Sequence, residues 1–244
     1  MPRALGLSNE KSNRWHDRSS ASIPDKKIQE VMAFLESFAV AVFLTASAAA
    51  GQRKGLVYPA DRQNIFKNEC FPSSESDASS DCGGIYVRNH ENEGKCGECG
   101  DVYGLPRPRA HENGGAYGQG VVAATFQAGS NFVALVDMGS AHGSGFFDFA
   151  LCPLNTTTEL ETEKCFGEHR LKLADGEDRL EVANSAQKFF GVELRLPRGL
   201  TCQHCVLRWQ YTTNFYTLCP DGVFSRPECG PQDYIRSCSD IRIR

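Results

Sequence analysis

The chain has 244 residues, 41% of them hydrophobic, which is enough for one sizeable core with or without a tail. A formal net charge of −4 leaves no electrostatic footprint for nucleic acid. Eleven cysteines mark either an oxidised or a metal-loaded protein. The N-terminal region decides between the two. Residues 33–50 read AFLESFAVAVFLTASAAA, and the uninterrupted apolar part spans about 13 residues. That length suits the apolar region of a signal peptide, about 7–15 residues, better than a membrane span of about 20. Ala48 and Ala50 fit a small-x-small cleavage site. Residues 1–50 are therefore expected to be leader and signal peptide, with cleavage near 50/51, and 51–244 the mature domain. Met32 is a candidate initiator, and a signal-anchor is the alternative to cleavage. All eleven cysteines follow the cleavage site, so a secreted, extracellular, disulfide-bonded monomer is expected, with no membrane association once the signal is removed.

Past the leader, residues 56–66 (LVYPADRQNIF) read as a short extended piece broken by Pro59. Residues 72–81 (PSSESDASSD) are polar, acidic and serine-rich, a loop composition. Residues 94–120 combine glycines, prolines and cysteines with almost no continuous apolar run, so cross-links or a metal must hold them. Residues 121–136 predict two strands around the turn Ala128-Gly129-Ser130-Asn131. Residues 146–151, 191–196 and 205–211 alternate apolar and polar side chains, so each strand buries one face, and residues 234–243 supply a last strand. Helical periodicity is weak, with at most one turn over 158–164. Short strands between Gly- and Pro-rich loops predict an all-β fold, a β-sandwich with long decorated loops.

The pairs Cys96-x-x-Cys99 and Cys202-x-x-Cys205 have the spacing of a zinc site. Behind a signal peptide they are expected instead as four separate disulfide half-bridges. Cys82, Cys152, Cys165, Cys219, Cys229 and Cys238 are the other expected half-cystines. Cys70, in the Ser/Asp-rich stretch, is left as the odd thiol. His142 stands among Gly139, Gly143 and Gly145 directly before a strand, a setting that leaves an imidazole accessible as a ligand, a base or a plain loop histidine. His111 is expected in a structural hydrogen bond. His90 and His169 fall in polar loops, and His204 lies inside the second Cys-x-x-Cys. Asn155-Thr156-Thr157 is a glycosylation sequon on an expected surface loop. No Gly-x-Ser-x-Gly, phosphate loop or dinucleotide fingerprint is present.

The blocks CGG (82–84), GKCGECGD (94–101), PRAHENGGAYGQG (108–120), SAHGSGFFDFALC (140–152), KCF (164–166), LPRGLTCQHCVLRWQY (196–211) and GPQDYIRSCSDIRI (230–243) occur in one order. In that order they resemble the chitin-binding type-4 domain and, more closely, the animal-type lytic polysaccharide monooxygenases, over residues 56–243. The resemblance implies an immunoglobulin- or fibronectin III-like β-sandwich in which Cys96 and Cys99 pair with other strands. It implies chitin or cellulose as partner, and one copper ion as cofactor, held by an N-terminal histidine and a second histidine. His142 matches the second of these. Leu56, Pro59, Arg62 and Phe66 match the opening block, in which a histidine stands three residues before the leucine; here that position is Arg53. The position of the axial aromatic, five residues before Asp240, is Ile235, with Tyr234 beside it. The resemblance thus implies a secreted polysaccharide-binding protein lacking the first copper ligand. The alternatives are an active copper monooxygenase whose N-terminus is mis-assigned, and an extracellular disulfide-rich interaction domain.

Overall fold

The computed structural model describes residues 54–65, 80–139, 143–183, 185–214, 217–218, 224–226 and 232–244, and among these it has eleven strands, three short α-helical turns and one π-helical turn. Strand β1 (Gly55–Tyr58) leads into a turn of helix α1 (Arg62–Ile65), so the second half of the 56–66 segment is helical rather than extended. The cause is local: the Asp61 carboxylate accepts the Asn64 amide at 2.7 Å, and the Asp61 carbonyl accepts Ile65 N–H, an N-cap arrangement. Helix α2 (Gly84–Tyr86) runs into a π-helical turn, Val87–Glu91. Then follow β2 (Ala124–Phe126), β3 (Asn131–Asp137) and β4 (Gly145–Pro153). Helix α3 (Glu163–Glu168) begins where the Thr162 hydroxyl accepts the Cys165 amide, a few residues later than the expected turn. The remaining strands are β5 (Lys172–Leu173), β6 (Leu180–Val182), β7 (Phe189–Arg195), β8 (Cys202–Thr213), β9 (Thr217–Leu218), β10 (Phe224–Arg226) and β11 (Tyr234–Ile243).

Two sheets form a β-sandwich. One has the order β1-β3-β7-β5, antiparallel throughout; the other has the order β2-β11-β8-β4-β6, with β2 parallel to β11. Strands β9 and β10 pair with each other. The two strands expected within 121–136 exist but join different sheets. The turn between them, with Gly129 at φ +76°, carries the chain from one layer to the other.

Alternation explains which residues meet. Phe132, Ala134 and Val136 of β3 and Val192 and Leu194 of β7 point inward, against Phe147, Phe149 and Leu151 of β4 and Leu207, Trp209 and Tyr211 of β8. Strand β8 is also covered on its other side. Val206, Ala150, Cys152 and Cys238 pack there with Phe166 of α3 and with Cys99. The glycine-rich 94–120 segment thus lies over the outer face of the five-stranded sheet, anchored rather than self-packed.

Four disulfides occur among the described residues: Cys82–Cys96, Cys99–Cys238, Cys152–Cys165 and Cys202–Cys205. Cys96 and Cys99 do reach separate partners, which removes the zinc alternative. Cys202 and Cys205 correct the expectation of separate half-bridges, because they bond to each other. Residues three apart in a regular strand face opposite sides. Here β8 carries one extra residue against β11, since Ile241 opposes Cys205 and Ile243 opposes Cys202. The bulge brings Cys202 to the core side with Cys205. Cys70, Cys219, Cys229 and the acidic stretch from 72 to 79 lie outside the described residues. Among the described residues no helix is long and apolar enough to cross a membrane.

Candidate functional site

Strand pairing gathers distant segments at one end of the sandwich. Gly55, at the start of β1, opposes Asp137, at the end of β3. Gly145, at the start of β4, opposes Thr213 at the end of β8, and Thr212 opposes Tyr234 at the start of β11. The loop from Asp137 to Gly145 carries His142, which itself lies outside the described residues, as does Arg53. The lead-in to β1 and the His142 loop therefore leave the same edge side by side.

The loop's two feet are fixed. Asp137 Oδ1 accepts Gly139 N–H at 2.8 Å, in a turn that needs Gly139 at φ +71°. On the far side the Tyr211 hydroxyl donates to the Gly143 carbonyl at 2.9 Å and to that of Ser144 at 3.2 Å. Burial, and then the Asp233 carboxylate, pushes this hydroxyl up to about 12, so it stays a neutral donor. At Gly145 an added Cβ would come within 2.2 Å of the Thr212 carbonyl and 2.5 Å of the Tyr211 ring, which makes glycine obligatory there. Asp233 is itself pushed upward by burial, with the Arg88 and Lys54 cations offsetting part of the shift.

The Tyr234 ring lies under the Arg88 guanidinium at 4.1 Å, with that of Arg236 at 5.8 Å. Register is continuous from Tyr234 to Ile241, so no local shift exchanges Tyr234 with Ile235, which packs toward the core. The other described histidines are engaged elsewhere. His111 is buried, with Nδ1 2.8 Å from Asp101 Oδ1 and its ring stacked on Tyr117, which is the structural role expected of it. His204 Nε2 lies 2.8 Å from Asp240 Oδ1, and His90 stacks on Tyr86. His169 sits half-buried at the end of α3, its amide bonded to the Phe166 carbonyl.

Behind this end runs a buried ionic network that the sequence did not announce. Arg62 is fully buried and grips Asp240 with two nitrogens, at 3.0 and 2.7 Å. Its third nitrogen meets Glu161 and the His111 carbonyl. Burial alone would depress the guanidinium, but Asp240 and Glu161 outweigh it and raise its pKa. Burial works to raise Asp240, yet the hydrogen bond from His204 and the Arg62 charge hold it below the usual range. Within the 94–120 segment, Arg109 pairs with Glu98 and Glu112, and Arg107 with Glu112. Cys99–Cys238 fastens the segment to β11, and the Arg62–Asp240 pair fastens the β1–α1 arm to it.

A model of the family described as "Lytic polysaccharide mono-oxygenase, cellulose-degrading" matches residues 55–241. The chain belongs to the lytic polysaccharide monooxygenase family. Its backbone superposes with TM-score 0.72 on the lytic polysaccharide monooxygenase AA15 from Thermobia domestica in the Cu(I) state. The two share 40% identity over 78% of this chain and 98% of that one. An AA10 lytic polysaccharide monooxygenase from Streptomyces lividans is 13% identical over 78% of this chain and 99% of its own, with TM-score 0.39. A monooxygenase important for efficient utilization of chitin in Cellvibrio japonicus is 10% identical over 78% and 99%, with TM-score 0.42. Those two superpositions are too loose to carry argument here. Among curated proteins none matches this chain.

The monooxygenases of this family depend on copper, and the donor set can be tested against that. A copper brace needs three nitrogens converging on one point. Among the described residues the loop end shows a neutral Tyr211 hydroxyl already spent on two carbonyls and a Tyr234 ring faced by two cations, neither of them a nitrogen donor.

Proposed function

We propose that this member of the lytic polysaccharide monooxygenase family is a secreted polysaccharide-binding protein, taking chitin or cellulose at the end that carries the His142 loop, without copper chemistry of its own. The observation that carries the reading is the donor set. Arginine stands at position 53, where the family resemblance calls for the first histidine ligand, and the described histidines are bound up in other contacts. A guanidinium cannot donate a lone pair to a metal, and no redox step is assigned to the chain.

Retention of the scaffold supports the binding half of the reading. Both feet of the His142 loop are pinned, and a matched region spanning residues 55–241 keeps the family's architecture. Asn155, exposed on the loop after β4, is the proposed glycosylation site. It lies at the opposite end of β4 from Gly145, so a glycan there leaves the proposed binding end free.

The test is retention of the secreted protein on crystalline chitin and on microcrystalline cellulose, with and without EDTA. Equal retention under both conditions is expected, and retention abolished by EDTA would overturn the copper-free reading. The 40% identity to a copper(I)-state monooxygenase favours a second reading, in which the mature chain begins with a histidine. N-terminal sequencing separates the two: a start near Gly51 supports the binding protein, and a histidine start supports the enzyme. No retention on any insoluble glycan would favour an extracellular domain with a protein partner.

A further inference from the structure

Tyr86 is the most exposed large hydrophobic side chain among the described residues, at 66%. The His90 ring lies against it, with centroids 4.6 Å apart and 32° between the planes. The other exposed aromatic rings differ in setting. Tyr58 packs edge-on against Phe126, Lys95 and Arg109 sit over Tyr103, and Lys188 caps Phe189. The His90 ring backs one face of Tyr86, so the pair turns the other face of Tyr86 to solvent, with Ile85 beside it at 38% exposure.

The turn that carries them is built rigidly. Cys82–Cys96 closes the segment, and Asn89 Nδ2 donates to the Ile85 carbonyl at 2.8 Å. Tyr86 and His90 are four residues apart and share one side of the turn; Arg88, midway between them, takes the other side. Arg88 is buried, donates to the Gln232 carbonyl and stacks over Tyr234. One side of the turn thus plugs into the start of β11 while the aromatic pair faces outward. Because β11 neighbours β8 and β8 neighbours β4, with strands about 5 Å apart, the turn stands two strands from the foot of the His142 loop.

We propose that Tyr86 and His90 form a sugar-stacking subsite that extends the polysaccharide face sideways from the His142 loop. The proposal rests on the polysaccharide-binding reading and deepens it. Pyranoses joined by β-1,4 bonds carry their hydroxyls equatorially, which leaves flat C–H faces above and below each ring. Such a face matches an aromatic surface, while the phenol hydroxyl and imidazole nitrogens at the ring edges reach the sugar hydroxyls. α-linked glucans, which curve, present no such extended flat face. The subsite therefore favours straight β-1,4 chains over the curved chains of starch.

Binding isotherms of the full secreted protein on crystalline chitin, microcrystalline cellulose and insoluble starch test this, for wild type and for Tyr86→Ala, Tyr86→Trp, His90→Ala and His90→Phe, with melting temperatures recorded alongside. Wild type is expected to bind a β-1,4 polymer more tightly than starch. Tyr86→Ala is expected to weaken that binding roughly tenfold, the scale of one lost stacking contact of about 1.4 kcal/mol. Tyr86→Trp and His90→Phe, which keep a ring, should bind as wild type does, and His90→Ala should fall between. An unchanged isotherm for Tyr86→Ala would overturn the subsite and leave the binding reading standing. His90→Phe as weak as His90→Ala, or equal binding to starch, would overturn the stacking. Wild type retained on none of the polymers would overturn the polysaccharide reading and the subsite with it.

Discussion

Two side chains show how single residues set the properties of this fold. Asp240 is a buried carboxylate whose pKa is held below its ordinary 3.8 by the His204 hydrogen bond and the Arg62 charge, against the pull of burial. A carboxylate with a lowered folded-state value contributes stability that is complete above its unfolded pKa and drains away as pH falls through the folded one. The protein is therefore expected to lose stability below about pH 4, and Asp240→Asn to flatten that acid limb in urea melts recorded from pH 7 to pH 2. Arg62→Ala should be harsher, because it leaves Asp240 and Glu161 buried as uncompensated charges, at a cost of about 3–5 kcal/mol. Tyr211→Phe should be mild overall, about 1 kcal/mol, yet local. Without its hydroxyl on Gly143 and Ser144 the foot of the His142 loop opens, and faster amide exchange at residues 143–145, with the core unchanged, is the expected signature.

At the scale of elements, β3 and β7 were legible because their burial follows a period of two, whereas β8 is buried on both faces although its sequence alternates. The alternation in residues 191–196 and 205–211 corresponds to β7 and β8, and the loop histidine 142 stood out by its glycine neighbours. What was not legible is pairing across the chain. Arg62 and Asp240 are 178 positions apart, and neither residue signals its partner. The Cys202–Cys205 bond depends on a one-residue bulge that only the register with β11 reveals. Helix α1 escaped notice because four residues give no period, and only the Asp61 cap marks it. The disulfides also differ in what they contribute. In the chain-entropy picture a bond spanning 139 residues contributes about 5 kcal/mol, and one spanning three residues about 2. Paired Ser substitutions of Cys99 and Cys238 are therefore expected to destabilise by more than twice as much as those of Cys202 and Cys205, measured as the shift in urea midpoint at constant slope. The second pair should act locally, by releasing the bulge that holds His204 facing Asp240.

At the scale of the whole molecule, the question is what holds a chain rich in irregular segments. A metal-held fold loses its stability to a chelator, since binding energy and folding energy are then the same quantity. Here the 94–120 segment is fastened by Cys99–Cys238, by Arg62 and Arg236 on the His111 and Gly97 carbonyls, and by packing on the outer face of β8. None of these involves a metal, and the thiolates a zinc site would need are consumed in disulfides. EDTA is therefore expected to leave the melting temperature within about a degree, whereas reduction with a dithiol should lower it by well over ten degrees, since each kcal/mol lost shifts it by about 2–4 °C in a domain of this size. Copper added before the melt gives the third arm. A chain with one imidazole at the His142 loop gains little from the metal, and a chain beginning with histidine gains according to its occupancy, because a ligand that binds only the folded state raises the melting temperature as its concentration passes the Kd. A copper-dependent rise of several degrees, reversed by EDTA, would restore the enzyme reading; a flat response would assign the preserved sandwich to binding alone.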